Sequence, residues 1–420
     1  MRFHDVKHQE RALSILRRSF ESGRIHHAYL FDGPEGVGKE LTARVLAARL
    51  LCDNVAGQSG FQAGLGFANA VDEFEPCGEC RSCRLMESGG HPDYHLIERG
   101  LHKQHPERSV RKSKGLFLVV DLVRHFLIEH ASAAPTLGRR RVFVMRDAER
   151  MNEEAQNALL KTLEEPPGRA CLILVTSSAQ RLLPTIRSRC QAIPFGFLPV
   201  DFVADRLVEA GEKPDAARSL AALSQGRLGS ALLWRRMALL EVFDAVAQLA
   251  AEDSAAHPEA FGKRMIELAT DVSRRVIAME REEADRLPGT AAVRELEAAA
   301  DAAEEEAEQD DDEEDEEDAG PKKVATDKLR DALKLVLSML SAFYRDVLVD
   351  SALRSCGTRI VDESLRMLPA KAAESARLAQ QLDPQRIDAA IRAIAECERM
   401  IDRNVAPQLA CEHLAIASAG

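Results

Sequence analysis

Short apolar runs and longer amphipathic segments alternate through the first half of the chain. Ala28–Phe31, Val142–Met145 and Cys171–Val175 are each almost entirely apolar and are bounded by polar residues. Runs of this length are typical of strands that are covered on both faces of a sheet. Leu41–Leu51 and Met151–Glu165 have the composition and spacing of helices, and a proline pair stops the second one. The pattern predicts an α/β domain over about residues 1–195.

The second half of the chain predicts helices. Leu329–Leu353 and Pro384–Ile401 carry apolar residues at helical spacing. An acidic, low-complexity segment interrupts this region between about residues 284 and 323. We predict a disordered spacer there, because consecutive like charges repel and offer nothing to bury. A DNA-mimicking or partner-binding tail is the alternative interpretation.

The charge of the chain is concentrated in this segment. The net charge is -12, and Asp301 together with the acids from Glu304 to Asp318 contributes fourteen negative charges, which leaves +2 for the rest. The length of 420 residues predicts about two to four domains. No apolar run approaches the roughly 20 residues that span a membrane, and the first residues do not resemble a signal peptide. We therefore expect a cytoplasmic protein with no membrane partner.

A phosphate-binding loop follows the first predicted strand. Gly33-Pro34-Glu35-Gly36-Val37-Gly38-Lys39-Glu40 matches the pattern G-x-x-x-x-G-K-[ST] except at its last position. The glycines let backbone N–H groups surround a phosphate, the lysine reaches the outer phosphates, and the Ser/Thr hydroxyl holds Mg²⁺. Glu40 replaces that hydroxyl with a bulkier, negatively charged group. The loop predicts a nucleotide-type fold and leaves open whether nucleotide binds.

The strand Val142–Met145 resembles the one that carries the metal-binding Asp and the water-polarising Glu of such sites. Arg146 and Asp147 occupy those two positions. A guanidinium cannot ligate Mg²⁺, and Asp147 is one carbon shorter than Glu. Glu149 falls in the following turn and is not expected to substitute. The Mg²⁺ site is therefore degraded at two positions.

Three cysteines lie close together at C-x₂-C-x₂-C spacing. They are Cys77, Cys80 and Cys83, and Cys52 lies upstream at the end of the predicted P-loop helix. Such spacing suits a structural Zn²⁺ site with four ligands, for which Cys52 is the expected fourth and His91 the alternative. An iron–sulfur cluster uses similar spacing, but the proline that often follows such clusters is missing. The remaining cysteines, Cys171, Cys190, Cys356, Cys397 and Cys411, are expected to be small buried residues.

Taken together, the motifs of residues 1–195 resemble the clamp-loader branch of the AAA+ family that serves bacterial DNA polymerase III. The matching pieces are His27–Phe31 with the P-loop, the cysteine module, Asn157–Pro166 and Ser188-Arg189-Cys190. A weaker match covers Ile401–Ala410 near the end of the chain. The order and number of the motifs favour this family over any other.

The resemblance implies roles for individual residues. Arg189 matches an arginine finger that reaches a neighbouring subunit's ATP, and Thr176 and Ser177 match the sensor of the γ-phosphate. Gly226–Ser230 corresponds to the turn that carries a second sensor arginine, with Ser230 in the place of that arginine. Gly33, Gly36, Gly38, Lys39, Glu40, Asp147 and Ser177 then form a degenerate nucleotide site.

The resemblance also implies an architecture: an AAA+ P-loop domain with a zinc module over residues 1–195, a helical lid over 196–235 and a helical collar over 236–420. The implied function is a non-motor subunit that lends Arg189 to a neighbour in a hetero-pentameric ring. Its partners would be the other loader subunits, the sliding clamp and primer-template DNA. The alternatives are an ATP-hydrolysing motor subunit with an atypical P-loop, and an unrelated zinc-dependent DNA-binding protein.

Basic residues cluster at Lys103, Arg108, Arg111, Lys112 and Lys114, and again at Arg139-Arg140-Arg141. Such clusters can contact DNA phosphates, and they are as often solvated loops. No aromatic residues are interleaved for base stacking. The sequence predicts weak DNA binding by the isolated chain.

Overall fold

The computed structural model describes residues 1–54, 74–111, 117–251, 257–286, 321–355, 366–403 and 405–418. Most of the predicted acidic spacer lies outside these residues, as do Lys112, Lys114 and Cys356. The outermost residues of the predicted spacer are helical, because helices run up to Arg286 and onward from Pro321. The chain forms two compact units, Met1–Pro199 with Gly226–Ser230, and Val200–Gln225 with Ala231–Gly420.

The first unit is built on a parallel five-stranded sheet in the order β2-β3-β4-β1-β5. The strands are β1 (Ala28–Asp32), β2 (Tyr94–Ile97), β3 (Arg141–Met145), β4 (Ala170–Thr176) and β5 (Gln191–Pro194). Every residue of β4 is buried, as expected for a central strand covered on both faces. The three strands predicted from apolar runs are confirmed as β1, β3 and β4. The less apolar edge strands β2 and β5 were not predicted.

Helices cover both faces of this sheet. They are α1 (Glu10–Glu21), α2 (Lys39–Leu51), α3 (Arg81–Glu87), α4 (Arg108–Arg111), α5 (Val120–Val123), α6 (Glu129–Ala131), α7 (Glu153–Glu164) and α8 (Pro184–Arg189). A π-helical turn, Arg124–Ile128, joins α5 to α6. On one face, Leu30, Phe143 and Leu172 of the sheet belong to a single buried cluster with residues of α5, α7 and α8. Helix α2 contacts β1, β3 and β4 and contributes no residue to that cluster, so it covers the opposite face.

Local signals set the ends of the helices that carry the site. Asn152 caps α7 by accepting a hydrogen bond from the Ala155 N–H at 2.9 Å. The helix ends at Glu164, just before the proline pair. Helix α8 begins on Pro184 and ends at Arg189. Helix α2 begins directly after Gly38, whose left-handed backbone (φ 99°) turns the chain out of the P-loop.

The rest of the described chain is helical. The helices are α9 (Val200–Glu209), α10 (Pro214–Ser224), α11 (Leu228–Arg236), α12 (Leu239–Ala250), α13 (Pro258–Arg286), α14 (Pro321–Ser355), α15 (Ala372–Leu378), α16 (Pro384–Asp402) and α17 (Pro407–Ala417). The predicted helices Leu329–Leu353 and Pro384–Ile401 are confirmed within α14 and α16. Helix α14 contacts α12, α13, α15 and α16 and buries Leu333, Leu337 and Phe343.

An α/β P-loop domain with a helical C-terminal region is therefore the observed architecture. Most of the predicted lid lies in the same compact unit as the predicted collar, and the boundary between lid and collar stays a prediction. Within the described residues, no helix combines the length and the apolar character that crossing a membrane requires.

The buried carboxylate of Asp93 fixes the position of the chain just before strand β2. Asp93 is fully buried just before β2, and its two oxygens accept the N–H groups of Thr136, Leu137 and Gly138 at 2.6, 2.8 and 2.6 Å. Burial by itself would raise the pKa of Asp93, but these N–H groups favour the ionised form and lower the pKa overall. The contact ties the start of β2 to the loop that leads into β3.

We expect Asp93→Ala to lower the free energy of unfolding by about 3 kcal/mol, because three backbone N–H groups lose their charged acceptor. Because folding lowers the pKa, the stabilisation is complete above the unfolded pKa of about 4 and is lost as pH falls through the folded value. Urea unfolding of both proteins from pH 7 down to pH 3 should show the difference shrinking.

Asp121→Ala is the matched control, since Asp121 is half-exposed and lies 3.9 Å from Arg124. It should cost at most about 1 kcal/mol. If the two variants lost equal amounts of unfolding free energy, the stabilising role assigned to Asp93 would be contradicted.

Candidate nucleotide site and cysteine cluster

The P-loop joins β1 to α2 at the carboxyl edge of the sheet. Gly33, Gly36 and Gly38 all have positive φ angles, of 153°, 75° and 99°. At Gly33 a side chain is also excluded sterically, because a Cβ there would lie 2.4 Å from the carbonyl oxygen of Phe195. The predicted glycines are therefore required by the backbone, whatever the loop binds.

Lys39 turns back into its own loop. Its side chain is buried, and Nζ donates to the carbonyl oxygens of Gly33 and Pro34. Burial lowers the pKa of Lys39, and the nearby Glu149 and Glu35 counteract part of that effect. The lysine that the motif assigns to phosphate is hydrogen-bonded to backbone carbonyls of the P-loop.

The two altered positions of the metal site are in direct contact. Arg146 follows β3, and its Nη2 lies 2.8 Å from Oε2 of Glu40 at the start of α2. Its Nη1 donates to Oε2 of Glu98, at the end of β2, also at 2.8 Å. Burial would lower the pKa of Arg146, but the two carboxylates outweigh it and raise the pKa. Glu98 was not predicted as part of the site, since it sits in no motif.

These residues do not fit the Mg²⁺ that a P-loop fold implies. Mg²⁺ takes oxygen ligands in octahedral geometry at about 2.0–2.1 Å. A guanidinium has no lone pair to offer, and Oε2 of Glu40 is paired with Arg146. We therefore assign no chemical step to a metal at this site.

Glu149 lies closer to the site than its place in the sequence suggested. It sits in the short turn Ala148–Arg150, and its Oε1 accepts hydrogen bonds from the N–H (3.1 Å) and the hydroxyl of Ser177. Burial would raise the pKa of Glu149, but the Ser177 hydroxyl and further hydrogen bonds lower it overall. The turn reverses the chain after Asp147, which has a left-handed backbone (φ 51°) and an Arg99 partner at 3.5 Å. The sequence expectation that Glu149 merely belongs to the following turn missed this contact.

The segment Gly226–Ser230 contacts the tip of the P-loop. The N–H of Gly229 donates to the carbonyl of Gly36 at 2.9 Å, and a Cβ on Gly36 would lie 3.0 Å from the Ser230 nitrogen. The structure thus brings this segment to the loop. The alignment of Ser230 with a sensor arginine stays a prediction.

Arg189 ends α8 and is one-third exposed. Its Nη2 lies 2.5 Å from Oε1 of Glu164, the last residue of α7, and its Nη1 donates to the Thr185 carbonyl at 3.0 Å. An exposed ion pair of this kind contributes about 0–1 kcal/mol. The ion pair therefore orients the guanidinium at the surface. Another group could replace Glu164 at little cost in free energy.

The four predicted cysteines converge on one point. All four Sγ atoms lie within 4.8 Å of one another, and the pairs Cys52–Cys80 and Cys77–Cys83 are each 3.9 Å apart. A tetrahedral zinc site with Zn–S bonds of about 2.3 Å places its sulfurs roughly 3.8 Å apart. The cluster could therefore hold a metal such as zinc.

Backbone amides support the charge that a metal-bound thiolate carries. The N–H of Cys80 points at Sγ of Cys77, and that of Cys83 at Sγ of Cys80, both at 3.4 Å. Burial would raise the pKa of Cys77, but the amides of Cys80 and Glu79 lower it to about 7. His91, the alternative fourth ligand, is not among the four residues of the cluster, and its Nδ1 accepts the Asp93 N–H at 3.1 Å.

The other described cysteines are buried, as predicted; they are Cys171, Cys190, Cys397 and Cys411. Burial raises the pKa of both Cys171 and Cys190 to about 12, which leaves little reactive thiolate.

Basic residues of both clusters are engaged within the chain. Arg111 donates to the carbonyls of His105 and Pro106 at 2.8 and 2.7 Å, and Arg141 donates to that of His130 at 3.1 Å. This hydrogen bond holds Arg141, the first residue of β3, in place. DNA contact by the basic clusters stays a prediction.

The fold and the loop define an α/β P-loop protein, and comparison with known proteins narrows this class. Residues 8–198 match the family described as DNA polymerase III, delta subunit. The delta-prime subunit of DNA polymerase III from Bacillus subtilis (strain 168) is 35% identical over 213 residues, covering 51% of this chain and 55% of that protein. The Pseudomonas aeruginosa PAO1 delta-prime subunit is 38% identical over 204 residues, covering 48% and 53%. The tau subunit of Escherichia coli (strain K12) is 34% identical over 236 residues, covering 55% and 32%.

Residues 8–198 are therefore similar to delta-prime subunits of DNA polymerase III, which confirms the resemblance of the motifs to clamp-loader proteins. The chain spans about half the length of the delta-prime relatives that it matches.

Proposed function

We propose that this chain is a non-motor subunit of the DNA polymerase III clamp loader and lends Arg189 to the nucleotide of a neighbouring subunit. The proposal rests on a contrast, within the first unit, between the positions of the metal site and Arg189. The positions that should hold the chain's own metal are Glu40 and Arg146, paired with each other, whereas Arg189 keeps its guanidinium at the surface. The similarity to delta-prime subunits of the loader supports the same assignment.

The chemistry of Arg189 suits this role. A guanidinium binds phosphate oxygens in a bidentate manner and offsets the charge that develops during phosphoryl transfer. Its contact with Glu164 is an exposed ion pair, so a phosphate from a neighbour could replace it at a cost of about 0–1 kcal/mol. Glu164 and Thr185 would keep the side chain oriented until then.

The wider assembly belongs to the same proposal. The partners would be the other loader subunits in a hetero-pentameric ring, and through them the sliding clamp and primer-template DNA. ATP-driven loading of the clamp would then depend on this chain as scaffold and activator. Its own nucleotide site would take no part in turnover.

Arg189→Ala should lower clamp- and DNA-stimulated ATP turnover by the reconstituted loader by about tenfold or more, because one active site loses its finger. Turnover would be measured after size-exclusion chromatography shows that the ring has assembled. Glu164→Gln removes the same ion pair but keeps the finger, and should retain turnover within about twofold. Arg187→Ala, an exposed arginine on the same helix, should do likewise. Unchanged turnover by an assembled Arg189→Ala loader would remove the finger assignment.

The second candidate is an ATP-hydrolysing motor subunit, and the similarity to the tau subunit favours it. A steady-state ATPase assay on the purified chain separates the two functions. We expect no Mg²⁺-dependent turnover above background, and no change with Lys39→Ala. Clear metal-dependent hydrolysis that Lys39→Ala abolishes would favour the motor.

We also propose that the cysteine cluster binds structural Zn²⁺. Four thiolates would leave no open position for water, so the ion would stabilise the segment around α3 and take no part in catalysis. Cys52 ends α2 and Cys80 precedes α3, so the ion would join these two helices.

Elemental analysis of the purified chain should find about one zinc per chain. Cys77→Ser, Cys80→Ser and Cys83→Ser should each lower the zinc content, because a hydroxyl is a poor substitute for a thiolate. His91→Ala is the control and should retain zinc, since His91 lies outside the cluster. Iron, or no metal, would contradict the proposal.

A further inference from the structure

The two altered positions of the metal site are complementary. Glu40 introduces a negative charge where the motif has a hydroxyl, and Arg146 introduces a positive charge where it has a carboxylate. Either change alone would leave an unbalanced charge at the edge of the sheet. Together they form an ion pair with a nitrogen–oxygen distance of 2.8 Å.

A third group, Glu98, completes the arrangement. Its carboxylate lies 2.8 Å from the second terminal nitrogen of Arg146, so the guanidinium bridges Glu98 at the end of β2 and Glu40 at the start of α2. Arg146 itself extends the pairing of β3 with β2, since its N–H donates to the Ile97 carbonyl at 2.9 Å. The backbone thus fixes where the guanidinium sits.

We propose that the Arg146 guanidinium is the resident cation of this P-loop, standing in for the divalent metal between Glu40 and Glu98. The site is consequently closed to Mg²⁺. Any phosphate group that binds there does so without a metal ion. The cation also joins α2 to the ends of β2 and β3, so it stabilises the fold. This inference concerns the isolated chain and does not rest on the loader role.

Reversing the exchange tests the proposal. The full chain and its Glu40→Thr, Arg146→Asp and doubly substituted variants would be titrated with a fluorescent ATP analogue, in MgCl₂ and in EDTA. The unaltered chain should give the same affinity in both buffers within about twofold, or no binding in either. The double variant restores a hydroxyl and a carboxylate, and should bind at least about tenfold more tightly in MgCl₂.

Thermal unfolding supplies a second readout. Arg146→Asp places a third carboxylate beside Glu40 and Glu98 and should lower Tm by several degrees. The double variant should lose less than the two single variants combined, because the groups are coupled. Arg392→Asp is the control: it breaks an exposed pair with Asp388 at 2.6 Å within α16, and should leave Tm and nucleotide affinity nearly unchanged.

Two results would overturn the inference. One is binding by the unaltered chain that MgCl₂ tightens tenfold or more, a measurement that requires no substitution to fold. The other is a folded double variant whose affinity does not respond to MgCl₂.

Discussion

The carboxyl edge of a buried parallel sheet is the constraint on which this molecule depends. Strands β1, β3 and β4 are adjacent and parallel, so the groups that follow them meet at one edge. The P-loop after β1, Arg146 after β3 and Ser177 after β4 are brought together in this way. Each was predicted from its own motif, and the sheet accounts for their proximity.

What lies at this edge is a set of internal contacts. Lys39 donates to carbonyls of the P-loop, Gly36 accepts from Gly229, and Glu40 pairs with Arg146. In an active site of this class the corresponding lysine, hydroxyl and carboxylate bind phosphate and metal. In this chain the lysine and the two substituted positions have partners within the same unit. The surface arginine, Arg189, is held by an exposed ion pair with Glu164 and by the Thr185 carbonyl.

The cysteine cluster shows which contacts can be predicted from short spacings in the sequence. Cys77, Cys80 and Cys83 had to be close, because two-residue gaps cannot separate them by much. Cys52 was the expected fourth member from its position at the end of α2, and the cluster confirms its proximity. Glu98 and Glu149 could not be found in the same way. Glu98 directly follows a short edge strand and Glu149 lies in a turn, and the partner of each is distant in sequence.

The sequence by itself determined the strands with continuous apolar runs, the end of α7, the P-loop and the cysteine set. These depend on burial, on proline and capping geometry, and on short spacings, all of which act over a few residues. The tertiary structure alone decided that Glu40 and Arg146 are partners, that Glu98 completes their contact, and that Glu149 turns back to Ser177. Those contacts join residues 28 to 106 positions apart, and the order of strands in the sheet, which no local pattern encodes, brings them together.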